Sequence, residues 1–206
     1  TVANANLIRP TYPNGALVNE NFFKELHTPE GTMQDKLVDL DNRRDLAYAL
    51  QTVQDNRNLY AAWAKDYESE FADQMDYVLP QKVAEIFVQI GGIGPVLDVG
   101  AGTGLAGQAL LKLGIKSIDA LDLSSAMLEV ASNKKIYKNL FTADITQPIK
   151  TVNYTYQGII SSGTFTHGHV GPSAIENLLS IAQGGAYFAL SVNKDHWLKK
   201  GFATQF

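Results

Sequence analysis

The stretch Pro95-Val96-Leu97-Asp98-Val99-Gly100-Ala101-Gly102-Thr103-Gly104-Leu105-Ala106-Gly107 constrains the chain more than any other. Val96 to Val99 reads as a short buried strand, apolar except for Asp98. Gly100, Gly102, Gly104 and Gly107 follow, and Leu105 to Leu113 is an Ala/Leu-rich helical run. Strand, glycine turn and helix in that order bring backbone N–H groups and a helix N-terminus against a nucleotide-like ligand. Glycine suits such a turn because a Cβ would block close approach and positive φ is often required. The downstream elements make this turn informative.

Pro80 opens a helix whose apolar stripe is Val83, Ile86, Phe87 and Ile90, ending at Gly91-Gly92. After the glycine turn, Ser117 to Asp122 reads as a second strand, and Ser124 caps a helix through Met127 and Leu128 to about Ser132. A third strand is predicted over Leu140 to Ala143, followed by Asp144, and a fourth over Tyr156 to Ser161. Ser162 to His169 reads as a loop, Ser173 and Glu176 as a capping box, and Ala186 to Val192 as a fifth strand after Gly184-Gly185. Five strands separated by helices predict an α/β, doubly wound, mostly parallel sheet. The expected domains are an arm and helical extension over 1–56 and a ligand-binding domain over 57–206.

Within the extension, Pro10, Pro13, Pro29, Gly15 and Gly31 predict irregular chain, with a short helix at Glu20 to Leu26. Met33, Leu37, Leu40, Leu46, Ala49, Leu50 and Val53 then recur at helical steps, broken near Asp41-Asn42. Such an arm suits a contact with a second subunit, a cover over a site, or a loose terminus. Tyr60, Trp63 and Tyr67 fall on one helical face, which suits either core packing or a lid over a ligand.

With 206 residues and a net charge of -4, the chain carries no basic footprint, which disfavours nucleic acid as partner. Having no cysteine, it has no disulfide framework, thiolate nucleophile or zinc–thiolate site. No apolar run approaches bilayer-spanning length and no leader pattern opens the chain, so the expectation is a soluble cytoplasmic protein.

In open parallel sheets, ligands bind outside the carboxyl ends of the strands. The glycine turn, Asp122, Asp144 and the Ser161 to His169 segment are all predicted there. Asp122 is placed to accept from both ribose hydroxyls, and Asp144 from an exocyclic amine such as that of adenine. Two ligands fit. Gly102-x-Gly104-x-x-Gly107 satisfies the dinucleotide fingerprint, with Asp122 near the expected distance. Against it, Gly100 and Ala101 intervene after the strand, and Asp98 would repel a pyrophosphate while welcoming a sulfonium amino acid's ammonium group.

Val96-Leu97-Asp98-Val99-Gly100-Ala101-Gly102-Thr103-Gly104 resembles the first motif of class I S-adenosylmethionine (SAM) methyltransferases. Leu121-Asp122-Leu123-Ser124-Ser125-Ala126-Met127-Leu128 resembles their second motif, Ala143-Asp144-Ile145 the acidic step after strand three, and Gln183-Gly184-Gly185 the turn before strand five. Tyr60 to Tyr67 and Gly163 to Val170 look closest to the Williams–Beuren syndrome region methyltransferase-like group.

The resemblance implies a Rossmann-like fold, SAM as cofactor and methyl transfer as the activity. It implies that Asp98 and the backbone of Gly100, Ala101, Gly102 and Gly104 hold the methionine moiety. Asp122, with Leu123, would hold the ribose. Met127 would line the adenine side, where ordinary core packing is the alternative. Asp144 and Ile145 would hold adenine, Ser161 would border the site from strand four, and Tyr60 and Tyr67 would approach from the preceding helix.

Methyl transfer from a sulfonium needs alignment and exclusion of water, and a base only where the acceptor arrives protonated. His167 and His169 are the candidate catalytic bases, with Thr164 and Thr166 as positioning groups. An exposed or backbone-bonded loop position is the plainer alternative for each histidine, and a His-x-His metal site lacks an obvious third ligand. Ser161-Ser162-Gly163-Thr164 stands where amino-methylating nucleic-acid enzymes carry Asn/Asp-Pro-Pro-Tyr/Phe, which with the acidic charge favours a small-molecule acceptor. The family's sheet closes with two further strands, and Phe206 follows Val192 too soon for both, so a truncated sheet edge is expected. The competing functions are a nicotinamide-dependent oxidoreductase and a non-catalytic SAM-binding scaffold.

Overall fold

A computed structural model of the chain describes residues 59–60, 64, 78–150, 154–166 and 170–202. The expectations for residues 1–56, and for Trp63, Tyr67, His167 and His169, lie outside the described residues. Along the chain run α1 (Leu79–Gln89), β1 (Val96–Val99), α2 (Leu105–Lys112), β2 (Ile118–Asp122) and α3 (Ser125–Asn133). These are followed by β3 (Leu140–Thr142), β4 (Tyr156–Phe165), α4 (Ser173–Leu179), β5 (Ala182–Val192) and α5 (Lys194–Lys199).

All strand pairings are parallel, in the order β3-β2-β1-β4-β5. β1 is therefore flanked by β2 on one side and β4 on the other, which puts the reversal of strand order at the glycine turn. Alternation along β1 decides which helices cover which face. Val96 joins Val83, Ala84 and Phe87 of α1, Ala106 and Leu110 of α2, Ile118, Ile160 and Ala189. Leu97 and Val99 join the opposite layer with Ala174, Ile175 and Leu178 of α4, Tyr156, Ile159, Phe165, Phe188 and Phe202. Each large apolar side chain fully buried here contributes about 1.5–3 kcal/mol relative to exposure.

One contact sets how close α1 comes to the sheet. The Phe87 ring lies over Gly158 of β4, where an added Cβ would fall 2.3 Å from Cζ. It also covers Gly92, where the same atom would fall 2.5 Å from the ring. Glycine at both positions is thus a packing requirement.

Three local expectations change. β4 continues as strand through Ser162, Gly163 and Thr164 to Phe165, because β5 runs on beside it: Phe165 pairs with Val192, and the Asn193 N–H donates to the Phe165 carbonyl at 2.9 Å. β5 likewise begins at Ala182, and Gly184-Gly185 form an irregularity inside it, absorbed between the pairs Tyr156–Ala182 and Gly158–Tyr187. The capping box at Ser173 does not form, since Pro172 is the N-cap and Ser173 is already helical. Ser124, by contrast, caps α3 as expected, its Oγ accepting from the Met127 N–H at 3.3 Å.

Candidate functional site

The glycine turn carries its conformation in the backbone. Gly100 and Gly102 sit at φ of 65° and 54°, values that favour glycine. A Cβ on Gly100 would strike Thr164 Oγ1 at 1.9 Å, whereas around Gly102 none of the described residues lies within 4 Å of such an atom. Gly102 therefore faces an open space, and Gly100 is pressed against β4. The turn is held from the neighbouring strand: the N–H groups of Gly100 and Ala101 donate to the Leu121 carbonyl at 2.7 and 3.2 Å.

Asp122 completes that hold. Its Oδ2 accepts from the Gly102 N–H and its Oδ1 from the Ser124 N–H, both at 2.8 Å. Burial pushes its carboxyl up, opposed by the N–H groups of Ser124, Gly102 and Leu123. Each oxygen has a second lone pair, so both can still accept from a diol. Asp144, just after β3, accepts at Oδ1 from the N–H of Thr146 at 2.9 Å and from its hydroxyl at 2.7 Å.

Asp98 is different. Its carboxylate is 1% exposed on the α1/α2 face of β1, with Oδ2 accepting from the Tyr137 hydroxyl at 2.6 Å. Oδ1 is buried and has no partner among the described residues. Burial pushes this carboxyl up to about 7; the Tyr137 hydroxyl and the Gly107 N–H pull it down, and Asp122 pushes it up. Thr103 Oγ1 in the turn and Ser162 Oγ on β4 are also buried without partners. Unpaired buried polar atoms cost stability unless something meets them. All three stand at the carboxyl ends of β1 and β4 or in the turn itself.

Other predicted site residues are built into the frame. Ser161 is fully buried and its Oγ donates to the Val99 carbonyl at 2.8 Å. The Thr164 hydroxyl donates to the same carbonyl at 3.2 Å. Met127 is 2% exposed. Ile145 lies in the α4-side core, its carbonyl accepting from Asn177 Nδ2 at 2.8 Å. Leu123 and Tyr60 are half-buried. Thr166 donates to the Gly163 carbonyl at 3.1 Å. Among the described residues no group of three metal-ligating side chains forms, and no helix is long and apolar enough to cross a membrane.

Sequence reasoning missed Tyr137, which offered no local pattern, and gave no role to Thr103 or Ser162 although both stand in stretches it singled out. The room left by Gly107 was the single clue to Tyr137: a Cβ there would fall 2.3 Å from its hydroxyl oxygen. His196 was also missed; it is 5% exposed, and its Nε2 donates to the Val170 carbonyl at 2.6 Å, anchoring the end of the segment that carries His167 and His169.

Residues 96–183 match the family model described as a methyltransferase domain. The human methyltransferase-like protein 27 is 27% identical over 144 residues, covering 68% of this chain and 58% of its own length. The chain thus spans somewhat over half of that relative. A solved DhpI complex with S-adenosylhomocysteine is similar, with a TM-score of 0.52 and 23% identity over 66% of this chain and 67% of that one. A methyltransferase solved with the Haloferax volcanii Trm112 methyltransferase activator has a TM-score of 0.52 and 20% identity over 65% of this chain and 59% of its own. The glycine turn, both strand-end acids and the parallel sheet therefore lie within or beside a segment, 96–183, that matches a methyltransferase domain.

Proposed function

We propose that the chain is a SAM-dependent methyltransferase acting on a small-molecule acceptor. The observation that carries this is the buried, unpartnered Asp98 Oδ1 beside a turn whose Gly102 faces open space. A cationic amino-acid end suits that oxygen, whereas a pyrophosphate does not. The match of residues 96–183 to a methyltransferase domain supports the same reading. The residues present fit the cofactor. Asp98 and the 100–104 backbone would hold its methionine end, Asp122 its ribose, and Asp144 with Ile145 its adenine. Tyr60, Tyr67, Leu123, Met127 and Ser161 would border it.

When bound, SAM supplies an electrophilic methyl group on a sulfonium sulfur. The protein's share is placement: the turn and Asp122 fix the ligand, and the β4 segment beyond Ser161 walls the side from which an acceptor approaches. His167 or His169 would take a proton from an acceptor that arrives protonated, with Thr164 and Thr166 at the base of their segment. The net charge of -4 and Ser161-Ser162-Gly163-Thr164 at the end of β4 favour a small acceptor over nucleic acid. Within the class we place the chain with the Williams–Beuren syndrome region methyltransferase-like group, on the resemblance of 60–67 and 163–170. The arm over 1–56 we assign to contact with a second subunit.

Calorimetric titration with S-adenosylhomocysteine (SAH), with NAD⁺ in a parallel cell, tests the cofactor. Micromolar binding of the first and none of the second is expected; the reverse overturns the reading. Methyl transfer to one member of a panel of small amines and hydroxyl compounds is expected next. SAH binding with no turnover on any of them would make the chain a non-catalytic SAM-binding protein.

A further inference from the structure

We propose that Tyr137 is a positioning residue for the ligand's amino-acid end: it fixes the buried Asp98 carboxyl so that Oδ1 alone is presented, and Gly107, the last glycine of the Gly102-x-Gly104-x-x-Gly107 pattern, admits its ring. The inference rests on the SAM reading above and assigns a part of that site to a residue outside every recognisable motif.

Tyr137 lies between α3 and β3, in the polar run Asn133-Lys134-Lys135-Ile136-Tyr137-Lys138-Asn139. Its ring nevertheless turns inward and packs against both the α1/α2 layer and the small cluster of Ala101, Ala120 and Leu128. The phenol is wedged against the start of α2. A Cβ on Gly104 would fall 3.1 Å from its Cε2, and one on Gly107 would fall 2.3 Å from its hydroxyl oxygen. The hydroxyl donates to Asp98 Oδ2 at 2.6 Å across 39 residues of sequence.

A buried carboxylate with two free oxygens can rotate about χ2 and meet a cation in several ways. With Oδ2 tied down, the rotation is fixed and the remaining acceptor direction is set. The arrangement also accounts for the literal Gly102-x-Gly104-x-x-Gly107 pattern without a dinucleotide, since the space above Gly107 is filled by the Tyr137 ring.

Among the described residues, the titratable groups acting on Asp98 are Tyr137 itself and Asp122 at the end of β2, with the Gly107 N–H as the neutral donor from α2. Losing the Tyr137 hydroxyl removes a group that favours ionised Asp98, so ionisation then requires higher pH.

The test compares wild type and Tyr137→Phe by calorimetry with SAH and with 5′-methylthioadenosine, which lacks the amino-acid end, from pH 6 to 8.5. At pH 7 the variant is expected to lose about tenfold in affinity for SAH and less than about twofold for methylthioadenosine. Its rise of SAH affinity with pH should lie at higher pH than in wild type. Equal losses for both ligands would mean a general loosening of the turn and would overturn the proposal, as would no loss at all. Should the variant not fold, Gly107→Ala, whose methyl group would displace the Tyr137 hydroxyl, is read in the same way: a loss confined to SAH supports the proposal, and equal losses or none overturn it. Wild type that binds neither ligand overturns the cofactor reading itself, a result distinct from wild type binding SAH and the variant binding it equally.

Discussion

The Gly102 N–H donates to Asp122 Oδ2 at 2.8 Å, so the acid ending β2 grips the turn ending β1 from 20 residues away. Asp122 thereby has two tasks: holding the turn in shape and, on the proposed reading, receiving ribose hydroxyls. Asp122→Ala should weaken SAH binding by about 1.5–3 kcal/mol, or about 10- to 150-fold, through lost charge-assisted hydrogen bonds. The ribose task is isolated by a second pair of ligands. Wild type should prefer adenosine to 2′,3′-dideoxyadenosine, and the variant should not. A preference that survives the substitution would sink the ribose assignment.

A buried acid leaves a mark on stability as well. Burial raises the Asp98 carboxyl to about 7, above the ordinary value of about 3.9 in an unfolded chain. The folded state therefore binds this proton more tightly than the unfolded state. Its stabilising contribution is full below about pH 4 and is lost as pH rises through about 7. Asp98→Asn keeps an oxygen for the Tyr137 hydroxyl and removes the titration. The stability of wild type minus that of Asp98→Asn, from urea unfolding, should fall steadily between about pH 4 and 7 and level off above. A difference independent of pH would show that Asp98 ionises normally.

The packing of α1 makes a third expectation. Gly158→Ala drives a methyl group into the Phe87 ring, with the Ile93 carbonyl 3.1 Å away on the other side. Overpacking of this kind costs about 1–3 kcal/mol, or a melting temperature lower by about 3–10 °C. Adding Phe87→Leu should return part of the loss, because the ring is the obstacle. If the double variant melts lower than the sum of the two singles predicts, the clash lies elsewhere.

The parts of this site legible in the sequence are those that local pattern decides. Val96 to Val99, the glycine turn and the Ser124 cap each follow from a few neighbouring residues, and Asp122 follows from its place at a strand end. Tyr137 was not legible, because its partner stands 39 residues earlier and, Ile136 apart, the residues around it are lysines and asparagines that read as surface. The length of β4 was hidden for another reason. Ser162, Gly163 and Thr164 have the composition of a loop, with Gly163 at a φ of 84°, and they join β4 as an irregularity held between the pairs Ser161–Leu190 and Phe165–Val192. Gly184-Gly185 read as a turn on composition; inside β5 they provide the irregularity that lets the strand realign with β4. In each case a neighbour distant in sequence overrode the local preference.

β4 outruns β1: the ladder between them stops at the pair Val99–Ser161, and the Val99 carbonyl is closed off by the hydroxyls of Ser161 and Thr164. The residues from Ser161 to Phe165 form a ledge braced by Leu190 to Val192 of β5 rather than by the strand beneath the turn. Mechanically this separates grip from reach. Exchanges at Ser162, Gly163 or Thr166 can reshape the ledge while leaving in place the hydrogen bonds that hold the turn to Leu121 and Asp122. On the proposed reading, a lineage built on this scaffold is thereby free to trade one methyl acceptor for another at little cost to how the methyl donor is held.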